Sequence, residues 1–213
     1  MGEVVRFLFD PLCPWCYQTS RWARRVERLG EITLDWGLFS LELANAGGDN
    51  RADGAAGSRS RPALRTCVAV RAAAGPSAVG PFYAAVGARH HERGEAVDDP
   101  AVVRAALADA GLDPALHDLA VTEERTWEAV EAEHHALVER TRSFGVPTLV
   151  LDGGQGPAIF GPVIGEVPDD GDALELWRHV SWLARYANFS ELKRERGPAP
   201  DLASVRARRR SAP

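Results

Sequence analysis

The feature that most restricts this chain lies near its start, where Cys13-Pro14-Trp15-Cys16 falls between a short apolar run and a segment of helical periodicity. Val4 to Phe9 is a β-branched and aromatic run bounded by Asp10-Pro11, the pattern of a buried first strand. From about Pro14 to Leu29 the apolar residues Trp15, Trp22, Ala23, Val26 and Leu29 recur at helical spacing, and the segment ends before Gly30. The cysteine pair therefore sits at a strand-to-helix junction. There Cys13 can face solvent at the first turn while Cys16 lies one turn inward, and the two can close a small disulfide ring. The unpaired N–H groups and partial positive charge of a helix N-terminus stabilise a thiolate on Cys13. In such motifs the thiol pKa falls from about 8.5 to between roughly 3.5 and 7.5. Pro14 suits the first turn because it removes an amide that has no helical partner there. Trp15 supplies a flat apolar surface beside the sulfur, and both residues are candidate substrate contacts. Two other uses of the pair stay open: inert core thiols, and a zinc site. Zinc needs two further ligands, for which His90, His91, His134 and His135 are the candidates.

Beyond the first helix, Ile32 to Phe39 alternates Ile32, Leu34, Trp36 and Leu38 with Thr33, Asp35 and Gly37, as a strand with unlike faces does. Ala44 to Arg61 is rich in Gly, Asp, Asn, Ser and Arg and reads as a mobile loop, disordered or acting as a lid. Pro62 to about Ser143 changes to alanine-rich helical text broken at Gly75-Pro76, Gly94, Asp98 to Pro100 and Gly111 to Pro114, which predicts four or five helices. Thr148 to Leu151 and Ala158 to Phe160 flank a turn and predict a terminal hairpin, and a last helix follows over about Asp172 to Ala187. The order β-α-β, helical insert, β-β-α is that of an α/β thioredoxin fold interrupted in its middle, of the DsbA-like kind. The expected division is a thioredoxin-fold domain over 1–61 and 144–193, a helical insertion over 62–143, and a flexible tail over 194–213. Arg206, Arg208, Arg209 and Arg210 in that tail suit either a solvated terminus or a basic contact patch.

Composition removes several function classes. With 25 basic and 30 acidic residues the net charge is -5, which gives no strong field for nucleic acid or an anionic membrane. No apolar run reaches the roughly 20 residues that span a bilayer, and the first residues lack a signal-peptide pattern, so the expectation is a cytoplasmic protein. Cys13, Cys16 and Cys67 are too few for a disulfide scaffold. Cys67, in an alanine-rich helix, reads as a small buried hydrophobe. No glycine-rich nucleotide or phosphate loop is visible, so electrons are expected to reach the protein through a thiol, with no tightly bound cofactor.

Gly145-Val146-Pro147-Thr148, just before an apolar strand, is ordinary alone and informative beside an upstream CxxC. Thioredoxin-fold proteins set a cis-proline loop opposite the cysteine pair, where the residue before proline offers its backbone to a thiol-bearing partner. A cis Val146–Pro147 bond is therefore expected, with both residues as substrate contacts. The run Phe9 to Cys16 followed by Thr19-Ser20-Arg21-Trp22 resembles the actinobacterial mycothiol-dependent reductases, a DsbA-like branch also called mycothiol-dependent nitroreductases. The resemblance extends through Ser40-Leu41 with Asn45, Ala85 to Gly94 including His91, Ala108 to Leu112, His134-His135, Gly145 to Thr148, Phe160 to Val163 and Phe189 to Arg194. The chain departs from the family over Ala46 to Arg61, which is glycine-rich where the family has a more helical segment with a substrate-facing tyrosine.

What the resemblance implies is a cytosolic enzyme whose dithiol is reduced by mycothiol and passes electrons to disulfides or to electrophilic small molecules such as nitro compounds and quinones. Cys13 is then the attacking and Cys16 the resolving cysteine. Asn45, which reads by itself as a turn residue closing the second strand, becomes a substrate contact. His135 likewise becomes a binding candidate, although a packed or capping role is the plainer reading for either residue of His134-His135; His91 has less support. Asp10 suits either a proton shuttle for Cys16 or a helix N-cap. Trp177, Trp182 and Tyr186 at helical spacing read as core. A kappa-type glutathione transferase or isomerase shares such an interrupted fold but lacks the cysteine pair, and a zinc or partner-binding module is the non-enzymatic alternative. An apolar face on the insertion would serve substrate or a second subunit, which leaves a homodimer open.

Overall fold

The structure, a computed structural model, describes residues 2–45 and 59–211. Most of the glycine-rich 44–61 segment thus lies outside the described residues; Ala44 itself is helical, and Arg61 already begins the next helix. Strand β1 (Glu3–Phe9) runs into a tight turn and helix α1 (Pro14–Arg28), followed by β2 (Ile32–Leu38) and the short α2 (Leu41–Asn45). The inserted helices are α3 (Arg61–Ala74), α4 (Val79–Gly87), α5 (Pro100–Asp109), α6 (Ala115–Thr122) and α7 (Arg125–Thr141). A turn of π-helix, Ala88–Glu92, extends α4. The chain then returns through β3 (Thr148–Val150), β4 (Ala158–Phe160), α8 (Asp170–Arg185) and α9 (Ala203–Ser211).

The strands form one sheet in the order β2-β1-β3-β4. β1 pairs parallel to β2, with Phe7 opposite Trp36, and antiparallel to β3, with Phe7 opposite Leu149. A central strand covered on both faces reads as a continuous apolar run, which is why Val5, Phe7, Leu8 and Phe9 are all buried. In β2 the alternation holds for its first half and then lapses, because Gly37 lies directly beneath the Leu8 side chain; a Cβ there would come within 2.5 Å of Leu8 Cδ2.

The insertion is tied to the sheet by an aromatic cluster. Tyr83 of α4 stacks on Phe9 with centroids 4.0 Å apart and meets Trp36 edge-on at 5.5 Å. Glu133 of α7 accepts the Leu38 backbone N–H at 3.0 Å and pairs with Arg71 of α3 at 2.6 Å, so one carboxylate joins two inserted helices to the sheet. On the other side of α1, the Trp22 indole donates to the Ala173 carbonyl of α8 at 3.1 Å and lies 6.5 Å from the Trp177 ring.

Two expectations change here. Of the aromatic trio on the last long helix only Trp177 is core: Trp182 and Tyr186 are 61% and 51% exposed and stack on each other instead. At 3.6 residues per turn Trp182 and Tyr186 lie about 140° and about 180° round the helix from Trp177, on the face turned away from the core. In the segment expected as a flexible tail, residues 203–211 form α9, which packs against the π-helical turn with Leu202 buried.

Candidate active site

β1 ends at Phe9, and Asp10 to Cys13 closes a turn in which the Cys13 N–H donates to the Asp10 carbonyl at 3.0 Å. Cys13 then takes the N-cap of α1 in extended backbone, with Pro14 in the first helical turn. Its sulfur accepts the Cys16 N–H at 3.3 Å and donates to the Val146 carbonyl at 3.7 Å. The Val146–Pro147 peptide is cis, as is Gly161–Pro162. Cys13 and Val146, far apart in sequence, are thus brought face to face with Pro147 alongside.

The two thiols differ sharply. Cys13 is held below the ordinary thiol range, first by the proton that Cys16 donates to it and then by the backbone N–H groups of Cys16 and Trp15, against burial and the nearby Asp10 charge. Cys16 is pushed well up, by burial and by its own hydrogen bond to the Cys13 sulfur. The helix N-terminus was expected to stabilise a thiolate on Cys13; its amides contribute, and the Cys16 thiol contributes more. Nor does Cys13 face open solvent: it is 7% exposed beneath the Gly145–Pro147 loop. Cys67 is buried elsewhere in the core and pushed up to about 12, which leaves it unreactive.

Asp10 is not the helix N-cap that was one of its two expected roles. The cap of α1 is Cys13, and the Asp10 carboxylate faces elsewhere. It accepts the Leu12 N–H at 2.9 Å, the Leu41 N–H at 2.9 Å and the Ser60 hydroxyl at 3.0 Å, which fastens the pre-cysteine turn to the starts of α2 and α3. Burial pushes the carboxyl up to about 6 despite these three donors. A folded-state pKa above the usual 3.8 means that the stability contributed by protonated Asp10 is complete below that value and is lost as pH rises through about 6. Unfolding free energies of wild type and Asp10→Asn, measured between pH 4 and 7, are therefore expected to diverge by about 3 kcal/mol, with wild type losing the more. A gap that stays flat across that range would rule this out.

The remaining candidates separate into two groups. His134 is buried, takes the Ser40 N–H on Nδ1 at 3.3 Å and packs edge-on against Phe39, a packed histidine pushed down by burial to about 4. His135 is exposed and lines a cleft of about 500 Å³ with Leu43 and Ala44 of α2 and with Val138, Arg142, Ser143 and Phe144 leading into the Val146 loop. Asn45 follows Ala44 at the exposed end of α2, so it closes a short helix rather than the second strand. Trp15 is half-buried, with the Arg196 guanidinium 5.7 Å from its ring centre. The candidate zinc ligands do not gather: among the described residues no three His, Cys, Asp or Glu side chains are placed to share a metal ion. His91 is fully buried and bonded to the turn before Cys13, a role that spacing in the sequence could not show.

One thiol held low beside a neighbour held high is the asymmetry that thiol redox chemistry requires. On this sheet order it defines an oxidoreductase of the DsbA-like thioredoxin fold. The chain belongs to the Rv2466c-like family, described as mycothiol-dependent nitroreductase Rv2466c, which it matches over residues 12–194. It is 37% identical over 196 residues to the Mycobacterium tuberculosis protein Rv2286c, a match that covers 92% of this chain and 84% of the relative. Solved structures share the fold at low identity. The cytosolic disulfide reductase DsbM of Pseudomonas aeruginosa superposes with a TM-score of 0.59 at 18% identity, covering 84% of this chain and 99% of that one. The oxidoreductase DsbA of Xylella fastidiosa gives 0.52 at 18% identity, covering 87% and 88%. No helix of the described residues is long and apolar enough to cross a membrane.

Proposed function

We propose that this protein is a thiol–disulfide oxidoreductase whose Cys13/Cys16 dithiol is charged by mycothiol and delivers electrons to disulfides or to electrophilic small molecules such as nitro compounds and quinones. The observation that carries the reading is the unequal pair, a lowered Cys13 set against the Val146 carbonyl and a raised Cys16 one turn behind it.

With a disulfide acceptor, the Cys13 thiolate attacks one sulfur, forms a mixed disulfide and expels the other half as a thiolate. Cys16 then loses its proton and attacks Cys13 Sγ, which closes the Cys13–Cys16 disulfide and releases the second half. Two electrons leave the dithiol and two thiols appear. For recharging, one mycothiol thiolate attacks Cys13 Sγ and releases Cys16; a second attacks the bound mycothiol sulfur, releasing Cys13 and one mycothiol disulfide. Trp15, Pro14, Val146 and Pro147 form the contact surface beside the reacting sulfur. His135 lines the α2–α7 cleft and Asn45 ends α2 next to the cleft residue Ala44, and both contact the more distant, polar part of the partner. A dithiol re-reduced by a small thiol works in a reducing compartment, so the same reading places the protein in the cytoplasm, with no tightly bound cofactor.

The test uses reduced Cys16→Ser protein, incubated separately with oxidised mycothiol and oxidised glutathione, quenched with acid and weighed intact. A rapid single adduct on Cys13 with mycothiol alone is expected. Adducts of both thiols would keep the mechanism and remove the thiol specificity, and adducts of neither would overturn the proposal.

A further inference from the structure

The turn that presents Cys13 is held from behind by the C-terminal part of the chain. His91 is fully buried on the π-helical turn Ala88–Glu92, where the extra residue per turn rolls it inward against α1. Its ring stacks on Tyr17, one residue past Cys16, at 5.0 Å, and Gly87 makes room for this approach: a Cβ there would come within 2.5 Å of the Tyr17 ring. Nε2 of His91 lies 2.9 Å from the Pro11 carbonyl oxygen, and Nδ1 lies 2.8 Å from the Ser204 hydroxyl of α9.

These two contacts fix the tautomer. A carbonyl oxygen only accepts, so Nε2 must carry the hydrogen that it donates to Pro11. Burial, with His90 and Arg208 nearby, pushes the ring down to about 3, so it is neutral across ordinary pH and has no second hydrogen. Nδ1 is then an acceptor, and Ser204 supplies the O–H. The Pro11 carbonyl belongs to the same turn whose Leu12 N–H is held by the Asp10 carboxylate and whose Cys13 N–H closes on the Asp10 carbonyl. With the Pro11–Leu12 peptide gripped from both sides, the Cys13 sulfur stays aligned on the Cys16 N–H.

We infer that Ser204 and His91 are positioning residues for the nucleophile: the Ser204 hydroxyl orients His91, which holds the Pro11 carbonyl and thereby the Cys13 turn. Ser204 lies outside residues 12–194, over which the family match runs, so α9 adds a support that the family's matched region does not contain. The inference rests on Cys13 being the reactive thiol.

The readout is the pH profile of Cys13 alkylation by iodoacetamide in the reduced full-length protein, followed by intact mass from pH 5 to 9, with thermal midpoints measured alongside. Ser204→Ala and His91→Leu are expected to move the Cys13 profile upward and to slow alkylation at pH 6 by roughly fivefold to tenfold, the effect of weakening one charge-assisted hydrogen bond to the thiolate. Ser204→Thr, which keeps the hydroxyl, and His91→Gln, which keeps an N–H near the Nε2 position, are expected to restore the wild-type profile. Unmoved profiles in Ser204→Ala and His91→Leu would overturn the inference, and so would equal impairment in all four variants, since packing alone explains that. A wild-type Cys13 with an ordinary thiol profile would instead strike at the nucleophile assignment itself.

Discussion

Cys13→Ser is expected to lower turnover of a disulfide acceptor by at least about three orders of magnitude, because no other group in the site can take its place in the first covalent step. Cys16 is fully buried, holds its proton more tightly and sits one helical turn behind Cys13, so it cannot meet an incoming sulfur in the same geometry. Cys67 is enclosed among the inserted helices and titrates only near 12. The loss should therefore appear in single-turnover experiments as an absent mixed disulfide, not as slow release of product. Far-ultraviolet circular dichroism and the thermal midpoint should change little, since Ser at an N-cap still accepts the amide that Cys13 accepts now. If Cys13→Ser kept appreciable turnover, the assignment of the nucleophile would be wrong.

The second large effect concerns the joint between α1 and α8. Trp22 is 1% exposed, and its indole fills the space beside Trp177 while donating to the Ala173 carbonyl. Trp22→Ala is expected to cost about 3–5 kcal/mol of unfolding free energy, from the lost transfer of the ring, the cavity left behind and the unpaired carbonyl. Chemical denaturation should show this as a fall in midpoint at constant slope. Trp182→Ala, on the same α8 but 61% exposed, is the internal control and should stay within about 0.5 kcal/mol of wild type. Comparable losses for the two would mean that the α1–α8 packing is not where the stability resides.

The cysteine pair illustrates how far the sequence reaches. That a strand ends before Asp10 and a helix begins at Pro14 follows from local propensity and periodicity, so the place of the cysteine pair at the strand-to-helix junction was legible. The hairpin around 152–157 and an insertion of four or five helices were legible for the same reason. The identity of the strongest influence on Cys13 was not, because whether a sulfur feels its partner thiol or the helix amides first depends on rotamers and burial. Asp10 shows the same limit. Its neighbours in sequence suggest a cap, but its carboxylate meets Leu41 and Ser60, residues 31 and 50 positions away. The exposure of Trp182 and Tyr186, by contrast, was within reach of the sequence, because a period of 3.6 turns them about 140° and about 180° away from Trp177.

By itself, then, the sequence determined the local grammar of this protein: the β-α-β opening with a dithiol at its junction, the helical interruption and the closing hairpin. These are set by interactions spanning a few residues, and the chain writes them directly. Only the tertiary structure decided which distant groups surround the sulfur. The Val146 carbonyl against Cys13, the Asp10 clasp and the Ser204–His91–Pro11 chain join segments 133, 50 and 113 residues apart, measured from Cys13 to Val146, Asp10 to Ser60 and His91 to Ser204. Such pairings exist only once the sheet and the inserted helices have packed, because the packed core, not the local pattern, fixes the distances between them.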